Sequence, residues 1–246
     1  MTLQIGDVVE HEGKRYTLML GPDPRRMHEM QVMGHDNHPD HDGFMAIDDA
    51  IDLGLKKVGV AGMSADTYLF TDTESTRFPY KGGMREGQAR VCQLAFIYTD
   101  ADGKTLAEFS SLIKPDGWEI KEDAQKIHGI TLEDCEAHGI PSTQALALFR
   151  HYEKMATKVI AHGEQFDRQM MDIEQAYASN GGDLPREPWH CTMRGNAHFF
   201  AGKWPKLAAA LEFFTGRILG DDAHDAMHDV RACRDIFFAA RAREAA

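Results

Sequence analysis

The chain has 246 residues, of which 43% are hydrophobic and 27% charged, and its formal net charge is −12. These values suit one packed domain plus an appendage and exclude collagen, coiled coil and wholesale disorder. A chain this acidic is a poor non-specific ligand for duplex DNA, whose binding rests on Lys and Arg, unless bound cations offset the repulsion.

Met1 to Lys14 mixes charges into its apolar residues, so no signal peptide is expected. Asp7 to Leu20 predicts two short strands around Glu12-Gly13, a hairpin. Gly21 to Gly43 is rich in His, Asp, Pro and Gly and predicts a loop; Ala46 to Leu55 suits a short helix. Residues 1–64 thus read as a small β-containing extension, too short to bury a core alone, and 65–246 as the main domain. There, Thr67 to Thr71, Ala89 to Thr99 and Thr105 to Lys114 predict three strands, the last two joined by a turn at Asp102-Gly103. A helix capped by Ser142 follows, with Leu146, Phe149, Tyr152 and Met155 at helical spacing. Lys158 to Ala161 predicts a fourth strand. Further helices carry Phe166, Met170, Ile173 and Tyr177, ending at Gly181-Gly182; Leu207 to Phe214, ending at Gly216; and Val230, Cys233, Phe237 and Ala240. The order predicts a mixed α/β fold with helices covering a central sheet. No apolar run nears the roughly 18–20 residues of a membrane helix. Cys92, Cys135, Cys191 and Cys233 lie far apart without a CxxC pair, which points to a reducing, cytoplasmic setting.

Three acidic clusters stand out. Asp72 and Glu74 lie two apart at the end of an apolar strand, so a continuing strand projects them on one face. Paired carboxylates repel, and a divalent cation relieves them; alternatively the strand ends at Thr71 and both are solvated. His162-Gly-Glu-Gln-Phe166-Asp167 joins a strand to a helix, where Asp167 also suits the macrodipole. His224-Asp-Ala-Met-His228-Asp229 opens the last helix. At 3.6 residues per turn, His224 and Asp229 would be roughly 140° apart on a helix. His224 is therefore placed in the preceding loop, with Asp225 near the N-cap and Asp229 on the inner face. A solvated helix start and an HxxxH zinc pair of His224 with His228 are the other readings, though zinc lacks a matching glutamate.

Taken in order, Asp72-x-Glu74, His162-x3-Phe166-Asp167 and His224-x4-Asp229 resemble the DEDDh family of 3′–5′ exonucleases, which includes the proofreading epsilon subunit of bacterial DNA polymerase III, RNase T and oligoribonuclease. Ile127-His128-Gly129-Ile130-Thr131 is similar to that family's Ile-His-Gly-Ile-Thr segment. The resemblance covers about residues 66 to 240. It departs at Gly163, where the family often has Asn, and at Ser75-Thr76-Arg77, where the family often has Thr-Thr-Gly. It implies an RNase H-like exonuclease fold, with two Mg²⁺ (or Mn²⁺) held by Asp72, Glu74, Asp167 and Asp229 and with His224 as general base. The implied substrate is a single-stranded DNA or RNA 3′ end, releasing nucleoside 5′-monophosphates. Thr73, Ser75, His128, Thr131, Phe166 and Arg77 are the implied substrate contacts, and a homodimer or a polymerase is an implied partner. The alternative is a non-catalytic nucleic-acid-binding or polymerase-associated module on the same fold.

Further candidates for phosphate contacts are Lys81, Arg85, Lys203 and Lys206. Phe78, Phe199 and Trp204 suit either base stacking or core packing. His28, His35, His38 and His41, interleaved with Asp36, Asp40 and Asp42, have no regular zinc spacing.

Overall fold

The structure, a computed structural model, describes residues 7–11, 14–20, 29–34, 43–46, 56–60, 66–81, 86–179, 189–220 and 225–245. The chain divides into two units, Met1–Ser64 and Ala65–Ala246.

In the first unit, β1 (Asp7–His11) and β2 (Lys14–Leu20) form the expected hairpin, with His11 opposite Lys14. The stretch expected as a loop contains β3 (Glu29–Gly34), and β4 (Gly43–Ala46) and β5 (Lys56–Val60) follow. All five pair antiparallel in the order β4-β3-β2-β1-β5. The strand in β3 was hidden by flanks dense in turn-forming residues, which dominate any local reading of composition. The expected helix after Ala46, and His28, His35, His38 and His41, lie outside the described residues.

In the second unit, β6 (Thr67–Ser75), β7 (Val91–Asp100) and β8 (Thr105–Leu112) form an antiparallel meander. Two short helices follow, α1 (Glu122–His128) and α2 (Leu132–His138), then α3 (Ser142–Met155). The strand β9 (Lys158–Ala161) runs parallel to β6, and α4 (Gln165–Ser179) follows it. Next come β10 (Trp189–Cys191), parallel to β9, then α5 (Thr192–Gly195), a 3₁₀ turn at Ala197–Phe200, α6 (Leu207–Thr215) and α7 (Ala226–Glu244). The sheet order is β10-β9-β6-β7-β8. This is the mixed sheet with flanking helices that the sequence predicts.

Both faces of the sheet are covered, so β7 reads as a nearly continuous apolar run rather than an alternating one. On one face Tyr68, Phe70, Ala95, Ile97 and Ile160 pack with Ala226, Met227, Val230, Cys233 and Phe237 of α7. On the other, Phe96 meets Phe149 of α3 edge-on at 6.2 Å, and Met170 and Met171 of α4 are buried. Arg90, beside the start of β7, is buried and bonds Glu174 of α4 at 2.8 Å and Asp116 at 2.6 Å.

Two local expectations change. Pro141, not Ser142, is the N-cap of α3, and no side chain caps it. The proline ring fixes φ near its required value, here −54°, so the start is set by geometry rather than by a hydroxyl. Tyr177 does not join the buried face of α4: it is exposed, with the Arg90 guanidinium 4.0 Å above its ring.

Candidate active site

The strand β6 continues past Thr71 to Ser75, so Asp72 and Glu74 are strand residues on the face of Phe70, which α7 covers. On the opposite side of the strand, pairing with β9 ends at Phe70 and Ile160, leaving the next β6 edge groups free of sheet bonds. The first turn of α4 fills that gap. Asp167 Oδ1 accepts from both the Thr73 backbone N–H and the Thr73 hydroxyl, each at 2.9 Å.

The third contribution comes from α7. Asp225 is its N-cap, and Oδ1 accepts from the N–H groups of Met227 at 3.0 Å and His228 at 3.2 Å. One turn on, Asp229 faces β6. Asp72, Glu74 and Asp229 each offer a carboxylate oxygen, and these lie within 4.8 Å of one another. Asp167 stands beside this trio, held back by Thr73.

The electrostatics follow from that crowding. Burial, and then the charges of Asp167, Glu74, Asp229 and Asp225, hold Asp72 well above the usual carboxylate range. Burial and the charges of Asp229, Asp167 and Asp225 push Glu74 up to about 8. Burial raises Asp167 to about 7, against the pull of its bonds from Thr73. Every charge that raises these groups is another carboxylate, so the pocket favours a cation. Hard carboxylate oxygens are the ligand chemistry of Mg²⁺ and Mn²⁺. Two ligands of one Mg²⁺ stand at most about 4.2 Å apart. The 4.8 Å within which the three oxygens lie is close to that limit, and a set of hard carboxylate donors fits such an ion in kind.

The neighbouring loop is built to hold Asp167. His162 Nδ1 meets the Thr192 hydroxyl at 2.9 Å and Nε2 the Pro205 carbonyl at 3.0 Å, and burial lowers its pKa to about 4, so it is a neutral strut. Gly163 has φ +97°, a setting glycine adopts without the steric cost of a Cβ. Buried Glu164 pairs with Arg194 of α5.

Other expected contacts are scattered in role. Phe166 meets Phe78, whose ring is 81% exposed, at a centroid distance of 5.6 Å. Arg77 bonds the Gly87 carbonyl at 3.3 Å and lies 4.2 Å over the Tyr80 ring. The Ser75 hydroxyl donates to the Arg77 carbonyl at 3.0 Å. His128 Nδ1 accepts from the Ile130 N–H at 3.1 Å, and Nε2 meets the Ser75 carbonyl at 3.2 Å. Thr131 is the N-cap of α2, in a capping box with Asp134. Phe199 stacks edge-on against Phe214 at 5.1 Å, which makes it a packing residue, while Trp204 is 62% exposed. Lys81, Lys203 and Lys206 are exposed. His224 and Arg85 lie outside the described residues, so the zinc pairing with His228 does too. Gln93 carries no motif: its only sequence signal is polarity inside an apolar run. In the structure its amide bonds Asp225 and the Ala226 N–H at 3.1 Å each.

The RNase T exonuclease profile matches residues 69–237, more than half of the chain. No curated protein sequence matches. Among solved structures, exonuclease I of E. coli in complex with a dT13 oligonucleotide is 20% identical, with a TM-score of 0.56 over 73% of this chain and 42% of that one. Exonuclease I from Methylocaldum szegediense is 20% identical, with a TM-score of 0.58 over 74% and 41%. A 3′-exonuclease that recognises the 3′ end of a histone mRNA stem-loop is 13% identical, with a TM-score of 0.54 over 71% and 63%. The chain spans about two fifths of the exonuclease I chains it matches. The shared architecture is the RNase H-like exonuclease fold.

Proposed function

The chain belongs to the RNase T exonuclease family, and from that premise we propose that it is a divalent-metal-dependent 3′–5′ exonuclease. Its substrate is the single-stranded 3′ end of DNA or RNA, and its product a nucleoside 5′-monophosphate. The observation that carries this reading is the meeting of Asp72, Glu74 and Asp229, from a strand and a helix more than 150 residues apart, with oxygens within 4.8 Å. An unneutralised buried cluster of this kind is costly, and the carboxylates' raised pKa values express that cost.

Asp72, Glu74, Asp167 and Asp229 would hold two Mg²⁺ or Mn²⁺. Bound there, the ions supply Lewis-acid stabilisation of the phosphate and of the attacking and leaving oxygens. The residues of the chain do the rest. The Thr73 bonds fix Asp167, and the Asp225 cap fixes Asp229. His224, next to that cap in sequence, takes the proton of the attacking water, as suits an imidazole with an ordinary pKa of about 6.5. Exposed Phe78, backed by Phe166, offers a face on which a base can stack. The site's own negative charge makes a short single-stranded end a better substrate than long duplex. No helix among the described residues is long and apolar enough to cross a membrane. All four cysteines are free and buried, which fits the proposed reducing, cytoplasmic setting.

The test is degradation of 5′-labelled single-stranded DNA and RNA with Mg²⁺ or Mn²⁺. A ladder shortening from the 3′ end is expected, lost with chelator and in Asp72→Ala. Product formation by Asp72→Ala equal to the unaltered chain would refute the reading.

A further inference from the structure

We infer that Gln93 is a positioning residue of this centre: its side-chain amide ties the N-terminus of α7 to β7 and so sets where Asp229 stands relative to Glu74. The inference rests on the proposed function for its catalytic consequence, but on geometry alone for the tie.

In the antiparallel register of β6 and β7, Gln93 lies directly opposite Glu74. It is buried, at 7% exposure, inside an apolar strand. A buried primary amide is costly unless both ends are paired. Here both are: Nε2 donates to Asp225 Oδ2 at 3.1 Å, and Oε1 accepts from the Ala226 N–H at 3.1 Å.

The first N–H groups of a helix lack intrahelical acceptors. In α7 that of Ala226 goes to Gln93, and those of Met227 and His228 go to Asp225 Oδ1. The next, from Asp229 itself, reaches the Asp225 carbonyl at 3.1 Å. The end of the helix is thus fixed in rotation and depth by one amide and one carboxylate. The backbone at Asp229 cannot slide along β6 or rotate about the helix axis without breaking this set.

The chemistry selects glutamine. A glutamate at this position would set a carboxylate against Asp225 Oδ2, and a methionine would offer neither donor nor acceptor. A lysine or arginine would pair with Asp225 and supply positive charge beside a centre built to draw it from bound cations. A neutral fork with one donor and one acceptor holds the helix and leaves the negative potential intact.

The experiment uses the full chain and four variants: Gln93→Met, Gln93→Glu, Asp225→Asn, and Gln93→Glu with Asp225→Asn together. Three readouts are taken: kcat and KM on a labelled single-stranded oligonucleotide, Mn²⁺ affinity by calorimetry, and amide exchange of residues 226–228 in chelator. Partners that bond a metal ligand directly typically carry about 10–100-fold in affinity or activity; Gln93 acts one residue further out, through the helix end that carries Asp229, so the lower part of that range is expected. Gln93→Met and Gln93→Glu should each lose about tenfold in kcat or Mn²⁺ affinity, with KM changed less than about twofold, and should exchange faster at 226–228. The double variant swaps amide and carboxylate across the same gap, and should recover to within about threefold of the unaltered chain. Recovery would assign the loss to the pair itself, and a role in global stability alone would leave kcat and Mn²⁺ affinity of the folded chain unchanged in the single variants. Unchanged exchange and Mn²⁺ affinity in Gln93→Met, or a double variant as impaired as the product of its singles, would overturn the inference. If the unaltered chain hydrolysed nothing, the functional reading would fall, while exchange and Mn²⁺ titration would still decide the clamp.

Discussion

Neutralising Glu74 should make the metal-free protein more stable while destroying its activity. Burial and three neighbouring carboxylates push Glu74 up to about 8 from an ordinary value of 4.5. A carboxyl whose folded pKa is raised contributes its full stability below the unfolded value. That contribution is lost as pH rises through the folded value. At about 1.36 kcal/mol per pH unit, the ionised group costs up to roughly 4 kcal/mol at pH 8. Neighbours that take up protons in turn reduce this, so Glu74→Gln should gain about 2–4 kcal/mol there. For a unit of this size that raises Tm by roughly 4–16 °C. The assay is thermal unfolding in chelator at pH 4.5 and pH 8, then at pH 8 with saturating Mn²⁺. The gain should be present at pH 8 in chelator, vanish at pH 4.5, and reverse with Mn²⁺, which stabilises only the chain that binds it well. A Tm for Glu74→Gln at or below that of the unaltered chain at pH 8 in chelator would refute the electrostatic reasoning.

His224→Ala should lower kcat by about 10²–10⁴-fold and leave Mn²⁺ affinity unchanged in calorimetry; lost affinity would make His224 a ligand instead. Arg90→Met takes the guanidinium from buried Glu174 and leaves it the Val91 N–H, and should cost about 3–5 kcal/mol in urea unfolding, a loss under about 1 kcal/mol counting against a structural network. Trp204→Ala, at a site 62% exposed, should weaken single-strand binding by about 1–3 kcal/mol with an unchanged melting temperature; a large fall in Tm would make Trp204 a packing residue.

The parts of the site that were legible in the sequence are those encoded locally. The DxE pair shows itself because strand alternation puts residues two apart on one face, and the apolar run before it marks the strand. The placing of Asp225 near the start of the last helix follows from simple capping chemistry, and the structure makes it the N-cap, with bonds from the Met227 and His228 N–H groups. Other features needed tertiary context. The helices Glu122–His128 and Leu132–His138 have seven residues each, under two full turns, so neither develops a readable hydrophobic period. Tyr177 has helical spacing with Met170 and Ile173, yet Arg90, distant in sequence, takes its ring as a platform outside the core. The grip of Thr73 on Asp167 spans 94 residues and depends on where β9 stops pairing with β6. Gln93 meets Asp225 across 132 residues, and nothing nearby in the chain announces it beyond a polar side chain where an apolar one is the rule.

The most direct measurement is anomalous diffraction at the manganese edge from crystals of the full chain soaked in MnCl₂. The account predicts a strong peak bounded by the carboxylates of Asp72, Glu74 and Asp229, with Asp167 beside it, and its disappearance in Asp229→Ala crystals. Manganese bound elsewhere, with these side chains turned apart or mutually protonated and no peak between them, would contradict it.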